Sequence, residues 1–123
     1  MKYFISGHRD ITKDEFELYR ATIKDAIEND QDVEFVVGDY EGVDIMAQEY
    51  LKELNYNKVT VYHMFTSPRN IASDNFMLRG GFTSDEERDA AMTRDSDMDI
   101  AFLRKGKRNS GTAQNIIRRF EKL

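Results

Sequence analysis

There is no cysteine in the sequence. That excludes a disulfide framework, a thiolate zinc site and a cysteine nucleophile together. Histidine is almost as scarce. Only His8 and His63 occur, which rules out a histidine-rich metal centre, and no metal or cofactor is implied. Proline occurs once, at Pro68. No apolar run is long enough to span a bilayer, so no membrane association is expected. The chain enters Lys2-Tyr3-Phe4-Ile5 directly, without a leader pattern. These absences fit a soluble protein of a reducing compartment, and a cytoplasmic location is expected. An excess of positive charge is lacking too. The net charge is −5, which weighs against DNA as a partner, although a short basic patch from Arg104 to Arg108 remains.

What is present is an ordinary globular composition. The chain has 123 residues, 40% hydrophobic and 33% charged, which suits one domain spanning 1–123 with a real core. No linker, repeat or low-complexity segment interrupts it. Residues 2–5 read as a short buried strand. Thr12-Lys13-Asp14-Glu15 is a capping box, followed by Phe16, Tyr19, Ile23, Ala26 and Ile27 on one helical stripe. Residues 33–37 form a second strand, and a helix from about Val43 to Leu54 carries Ile45, Met46, Tyr50, Leu51 and Leu54 inward. A third strand covers 58–62. Segment 63–83, with Pro68 and Gly80-Gly81, shows no regular pattern and is read as a functional or mobile loop. Ser84-Asp85-Glu86-Glu87 is a second capping box, opening the helix of Arg88 and Met92. A fourth strand spans about 98–103. The last helix runs from about Gly111 to Phe120, with Ile116, Ile117 and Phe120 inward.

This alternation predicts an α/β fold: a Rossmann-like parallel sheet of about four or more strands with helices on both faces. The expected order is 3-2-1-4. Ligands of such sheets bind beyond the carboxyl ends of the strands where the order reverses. The expected crevice therefore lies between the first and fourth strands.

Three loops reach that edge. Ser6-Gly7-His8-Arg9-Asp10 places Gly7 for close backbone approach, Arg9 for a phosphate and His8 for a base or sugar. A plain charged turn explains the same residues. Gly38-Asp39-Tyr40-Glu41-Gly42-Val43-Asp44 is acidic and suits sugar hydroxyls or general-base chemistry through Asp39 or Asp44. The alternative is that these aspartates cap the following helix. Lys105 to Thr112 is the best anion candidate, because Ser110, Gly111 and Thr112 stand at a helix start where free amides and the dipole favour negative charge. Arg88 lies among acidic residues, so it either forms a local ion pair with Asp85 or Glu87 or points into the crevice.

The run Arg88…Met92…Asp97…Ser110-Gly111-Thr112, with Gly38-x-x-x-Gly42-x-Asp44 and Gly7-His8-Arg9 before it, resembles the SLOG superfamily. That group includes the Lonely Guy (LOG) phosphoribohydrolases and DNA-processing A-type proteins. The resemblance implies a Rossmann-type nucleotide-binding domain, with phosphate at Gly111 and Thr112 and with Arg88 as the active-site arginine. It breaks at Asn115, where the LOG pattern has a catalytic glutamate, and at Asn109-Ser110, where it has paired glycines. An amide cannot act as that carboxylate.

Two functions follow as expectations. The first is a module that binds a nucleotide or nucleotide-derived molecule, as a homodimer. Ser110, Gly111 and Thr112 with Arg9 or Lys105 hold phosphate, Asp39 or Asp44 holds ribose, and Arg88 bridges. The second is a nucleoside 5′-monophosphate N-glycosidase in which a loop carboxylate (Asp10, Asp39 or Glu41) replaces the missing glutamate and Arg88 holds the sugar phosphate.

Overall fold

The computed structural model of the protein describes residues 1–102 and 111–122. The elements run β1 (Lys2–Ser6), α1 (Lys13–Asn29), β2 (Glu34–Gly38), α2 (Val43–Glu53), β3 (Val59–Met64), β4 (Met77–Phe82), α3 (Asp85–Asp95), β5 (Met98–Ala101) and α4 (Gly111–Lys122). The five strands form one parallel sheet in the order β4-β3-β2-β1-β5. This is the α/β, Rossmann-like architecture expected, and the order 3-2-1-4 is kept with one strand added outside β3.

That added strand corrects the irregular reading of 63–83. Gly80 and Gly81 lie inside β4, whose side chains are exposed up to Phe82. The strand shows no alternation because it is a sheet edge with little to bury. Parallel neighbours need a crossover, usually a helix. Here residues 65–76 make it without one. Ile71, Ala72 and Phe76 of that segment pack into the core beneath α1 and α2. Buried Gln48 anchors the segment, donating to Gly38 O (3.0 Å) and accepting from Ala72 N (3.0 Å).

Alternate strand residues divide the core. Ile5, Phe35, Val37, Val59, Val61 and Ile100 face α1 and α2. Phe4, Val36 and Tyr62 face the other way, meeting Phe82 and the α3 residues Ala91 and Met92. Helices thus cover both faces, as a parallel sheet requires.

Local signals explain most element starts. Thr12 and Glu15 close the capping box that opens α1. At α3 only half of a box forms. Ser84 Oγ accepts from Glu87 N, but the Glu87 carboxylate turns to Thr83. Two helix faces differ from expectation. In α2 the buried apolar residues are Val43, Ala47, Tyr50 and Leu51, while Ile45 and Met46 are half-buried and Leu54 is exposed. In α4, Ile117 is exposed and Phe120 is 72% exposed, so neither points inward. The polar residues Thr112 and Asn115 share the buried side of α4 with Ala113. Among the described residues no helix is long and apolar enough to cross a membrane.

Candidate functional site

The chain leaves β1 for α1 on one face and arrives at β5 from α3 on the other. The carboxyl ends of these neighbouring strands therefore part, and a cleft of about 390 Å³ opens there. That volume falls within the roughly 300–1,000 Å³ common for small-molecule sites. Tyr19 of α1 braces the ends of β1 and β5. Its hydroxyl donates to Ser6 O (2.9 Å) and accepts from Phe102 N (3.1 Å), tying the two strand ends together.

The first two loops lean on each other. Val43 N donates to His8 O (3.3 Å), and Arg9 Nη1 donates to Tyr40 Oη (3.3 Å). Gly42 has φ +80°, and a Cβ there would overlap the main chain of Arg9. Only glycine permits both that backbone and that approach. Gly42 is also the N-cap residue of α2, with no side chain capping it. Capping of α2 by Asp39 or Asp44 is therefore not what these aspartates do.

Asp39 instead forms a buried hub, with 0% exposure. Its Oδ1 accepts from Arg88 Nη1 (2.9 Å) and Arg69 Nη2 (2.8 Å), and its Oδ2 accepts from Arg69 N (2.8 Å). Burial alone would raise its pKa. The hydrogen bonds and charge of Arg69, with the charge of Arg88, override that and hold the carboxyl below the ordinary range. Arg69 also reaches Asp85 (2.9 Å) and stacks over the Tyr40 ring.

Arg88 is buried and fully engaged. Besides Asp39 it contacts Asp85 (3.2 Å), and its Nε and Nη2 both donate to Asp89 Oδ1 (3.1 and 2.9 Å). The local pair with Asp85 exists, beside the pairs with Asp39 and Asp89. Gly38, at the end of β2, makes room for it. A Cβ there would overlap the Asp44 carboxylate and lie 3.0 Å from Arg88 Cζ.

Two further carboxylates line the cleft. Asp44 accepts from Tyr40 N through Oδ2 (3.1 Å), and its Oδ1 accepts no hydrogen bond among the described residues. Burial pushes its pKa up to about 7, against the opposing charge of Arg88. Asp89 is raised as well, again by burial first, with Arg88 partly offsetting it. Asn115 Nδ2 lies 3.4 Å from Asp89 Oδ2, and Asn115 Oδ1 accepts from Arg118 Nη1 (2.7 Å). The carboxylate missing at 115 thus has a neighbour in space at 89. Ser6, 4% exposed, also lines the cleft, and its hydroxyl has no hydrogen-bond partner among the described residues.

The structure brings Gly7, His8, Arg9, Asp44 and Arg88 to one cleft, together with Gly111 and Thr112 at the start of α4. Asp39, Gly38 and Gly42 do not line it. They support residues that do. Lys105 and Ser110 lie outside the described residues. Sequence reasoning missed Ser6, Arg69 and Asp89. Asp89 had a detectable signal, since it adjoins Arg88 on the face that leads to Met92. Among the described residues no group of acidic or histidine side chains is placed to hold a metal ion. No family model matches the chain, and no curated protein or solved structure matches it significantly.

Proposed function

We propose that the cleft binds a nucleotide or a nucleotide-derived sugar phosphate. The observation that carries this reading is the mixed lining of the cleft. It includes the α4 start at Gly111 and Thr112 and the exposed Arg9, beside the exposed acids Asp10, Glu41 and Asp85. Free amides at a helix start and a guanidinium favour an anion. The floor offers Asp44 and Asp89, which repel an anion and accept hydrogen bonds from hydroxyls. A sugar with a phosphate at one end matches both kinds of lining. The resemblance to the SLOG superfamily supports the same class of ligand.

In this reading Arg88 does not grip phosphate, because its donors are already committed to three aspartates. It fixes the carboxylates of the floor. Native mass spectrometry with nucleoside monophosphates, dinucleotides and cyclic nucleotides tests the assignment. A retained, intact nucleotide is expected. Absence of any adduct across the panel, checked by calorimetry, refutes it.

One observation favours N-glycoside hydrolysis as a second reading. A cleft carboxyl with a pKa near 7 can carry a proton to a leaving base, while a second carboxylate stabilises a cationic sugar or activates water. Asp44 and Asp89 take those roles better than Asp39, which lies behind two guanidinium groups. Free base released with turnover by the wild type, and lost in Asp44→Asn at saturating ligand, would decide for the hydrolase.

A further inference from the structure

The floor of the cleft has an unsatisfied hydrogen-bonding pattern that selects among sugars. Three residues of this pattern line the same cleft. Asp44 Oδ1 accepts nothing among the described residues. Asp89 Oδ2 has one long contact, 3.4 Å from Asn115 Nδ2. Ser6 Oγ is buried with no partner among the described residues. A buried hydroxyl left without a hydrogen bond lowers the stability of the fold, so its retention at a cleft floor points to a ligand that completes it.

We propose that Ser6, Asp44 and Asp89 form a subsite for the vicinal hydroxyls of a ribose, so that the protein prefers ribonucleotides over 2′-deoxyribonucleotides. The inference rests on the nucleotide reading and adds both an orientation and a selectivity to it. Two carboxyl groups, each with an oxygen left to pair, take two partners, which a cis-diol supplies and a single hydroxyl does not. The Ser6 hydroxyl rotates to donate to, or accept from, the same pair. An ammonium group would also satisfy carboxylates. It would, however, face the Arg88 guanidinium that lies against Asp89 at 2.9 Å, and the α4 start across the cleft. A neutral donor pair meets neither repulsion. The phosphate then pairs with Arg9 and the α4 start at Gly111 and Thr112, which line the same cleft.

A 2′-deoxy ligand leaves one buried acceptor unpaired after water has been displaced. Sites built around a hydroxyl reject analogues that lack it strongly, so a preference of at least about tenfold is expected. Titration calorimetry with matched ribo- and 2′-deoxyribonucleoside 5′-monophosphates of each base reads this ratio, with ribose 5-phosphate alongside. Asp89→Asn and Ser6→Ala should each narrow the ratio by weakening the ribo member while leaving the deoxy member nearly unchanged. Ser6→Ala also checks the folded state. Losing an unpartnered hydroxyl should leave the thermal midpoint of the ligand-free protein equal or higher, although the ribonucleotide binds less tightly. Nucleotides bound with no ribo preference overturn the subsite and leave the nucleotide reading standing. Ribose 5-phosphate bound in an Asp89-dependent way, with no nucleotide bound, supports the subsite and narrows that reading to its sugar-phosphate form. No binding by any of these compounds overturns both.

Discussion

Replacing Asp44 by Asn should flatten the pH dependence of stability. An aspartate in an unfolded chain titrates near 3.8, and burial beside Asp89 brings Asp44 to about 7 in the folded protein. The folded state therefore holds the proton over a range where the unfolded chain has released it. Stability from this group is complete below 3.8 and is lost as the pH rises towards 7, with no further loss above. Integrated from pH 5 to pH 8, the loss is roughly 2.5 kcal/mol. Asparagine keeps the shape and can still accept from Tyr40 N, yet has nothing to titrate. Urea unfolding at pH 5, 6, 7 and 8 should show the wild type losing stability relative to Asp44→Asn by about that amount. Asp89, also raised, is coupled to Asp44, so the double variant Asp44→Asn/Asp89→Asn set against Asp89→Asn isolates the slope that belongs to Asp44. If the gap between the two proteins stayed constant across the range, Asp44 would be an ordinary exposed acid, and its proposed seat in the cleft floor would be wrong.

Two other substitutions probe the framework. Asp39→Asn removes the charge that two arginines share, and should cost about 2–4 kcal/mol in urea unfolding. The figure is below the usual loss for a broken buried pair because Arg69 is 34% exposed and Arg88 keeps Asp85 and Asp89. A loss below ~1 kcal/mol would show that the hub is not needed. Gly42→Ala forces a side chain onto a positive-φ residue pressed against the Arg9 main chain, so a loss of about 1–3 kcal/mol is expected. Amide exchange should quicken at His8 to Asp10, and unaltered exchange there would contradict the contact between the two loops.

The sheet was readable because its strands are short apolar runs bounded by turn residues and capping signals, each a local property. The expected order 3-2-1-4 is one of several that short right-handed crossovers allow, and the sheet keeps it. β4 escaped because Met77-Leu78-Arg79-Gly80-Gly81-Phe82 is exposed on an edge and has no period to detect. Ile117 and Phe120 were misplaced because helical spacing identifies a stripe but not what faces it. Thr112 and Asn115 turn out to face inward. The cleft's loops were legible from glycines and acids at strand ends. Its wiring was not. Asp39 meets Arg69 thirty residues away and Arg88 forty-nine residues away, and no local pattern encodes such a meeting. Asp39 therefore read as a candidate base, while in the fold its lone pairs are occupied. Asp89 was passed over because an acid beside an arginine reads as a solvated pair until burial is known.

The two faces of the sheet are held by different forces, and this affects how the molecule breathes. Beneath α1 and α2 the contacts are aliphatic and aromatic. Beneath α3 a large share of the space is given to guanidinium and carboxylate groups, and the helix contributes Ala91 and Met92 as its buried apolar side chains. Ion pairs carry little net cohesion once their desolvation is counted. The α3 side is thus the face that detaches first in sub-global opening, with its amides exchanging at a lower free energy than those of α1. The cleft is built on that looser face. A ligand seated between Asp44, Asp89 and the start of α4 clamps the half of the protein with least cohesion of its own. Its presence will register as slowed exchange along α3 at concentrations where the global unfolding transition has barely moved.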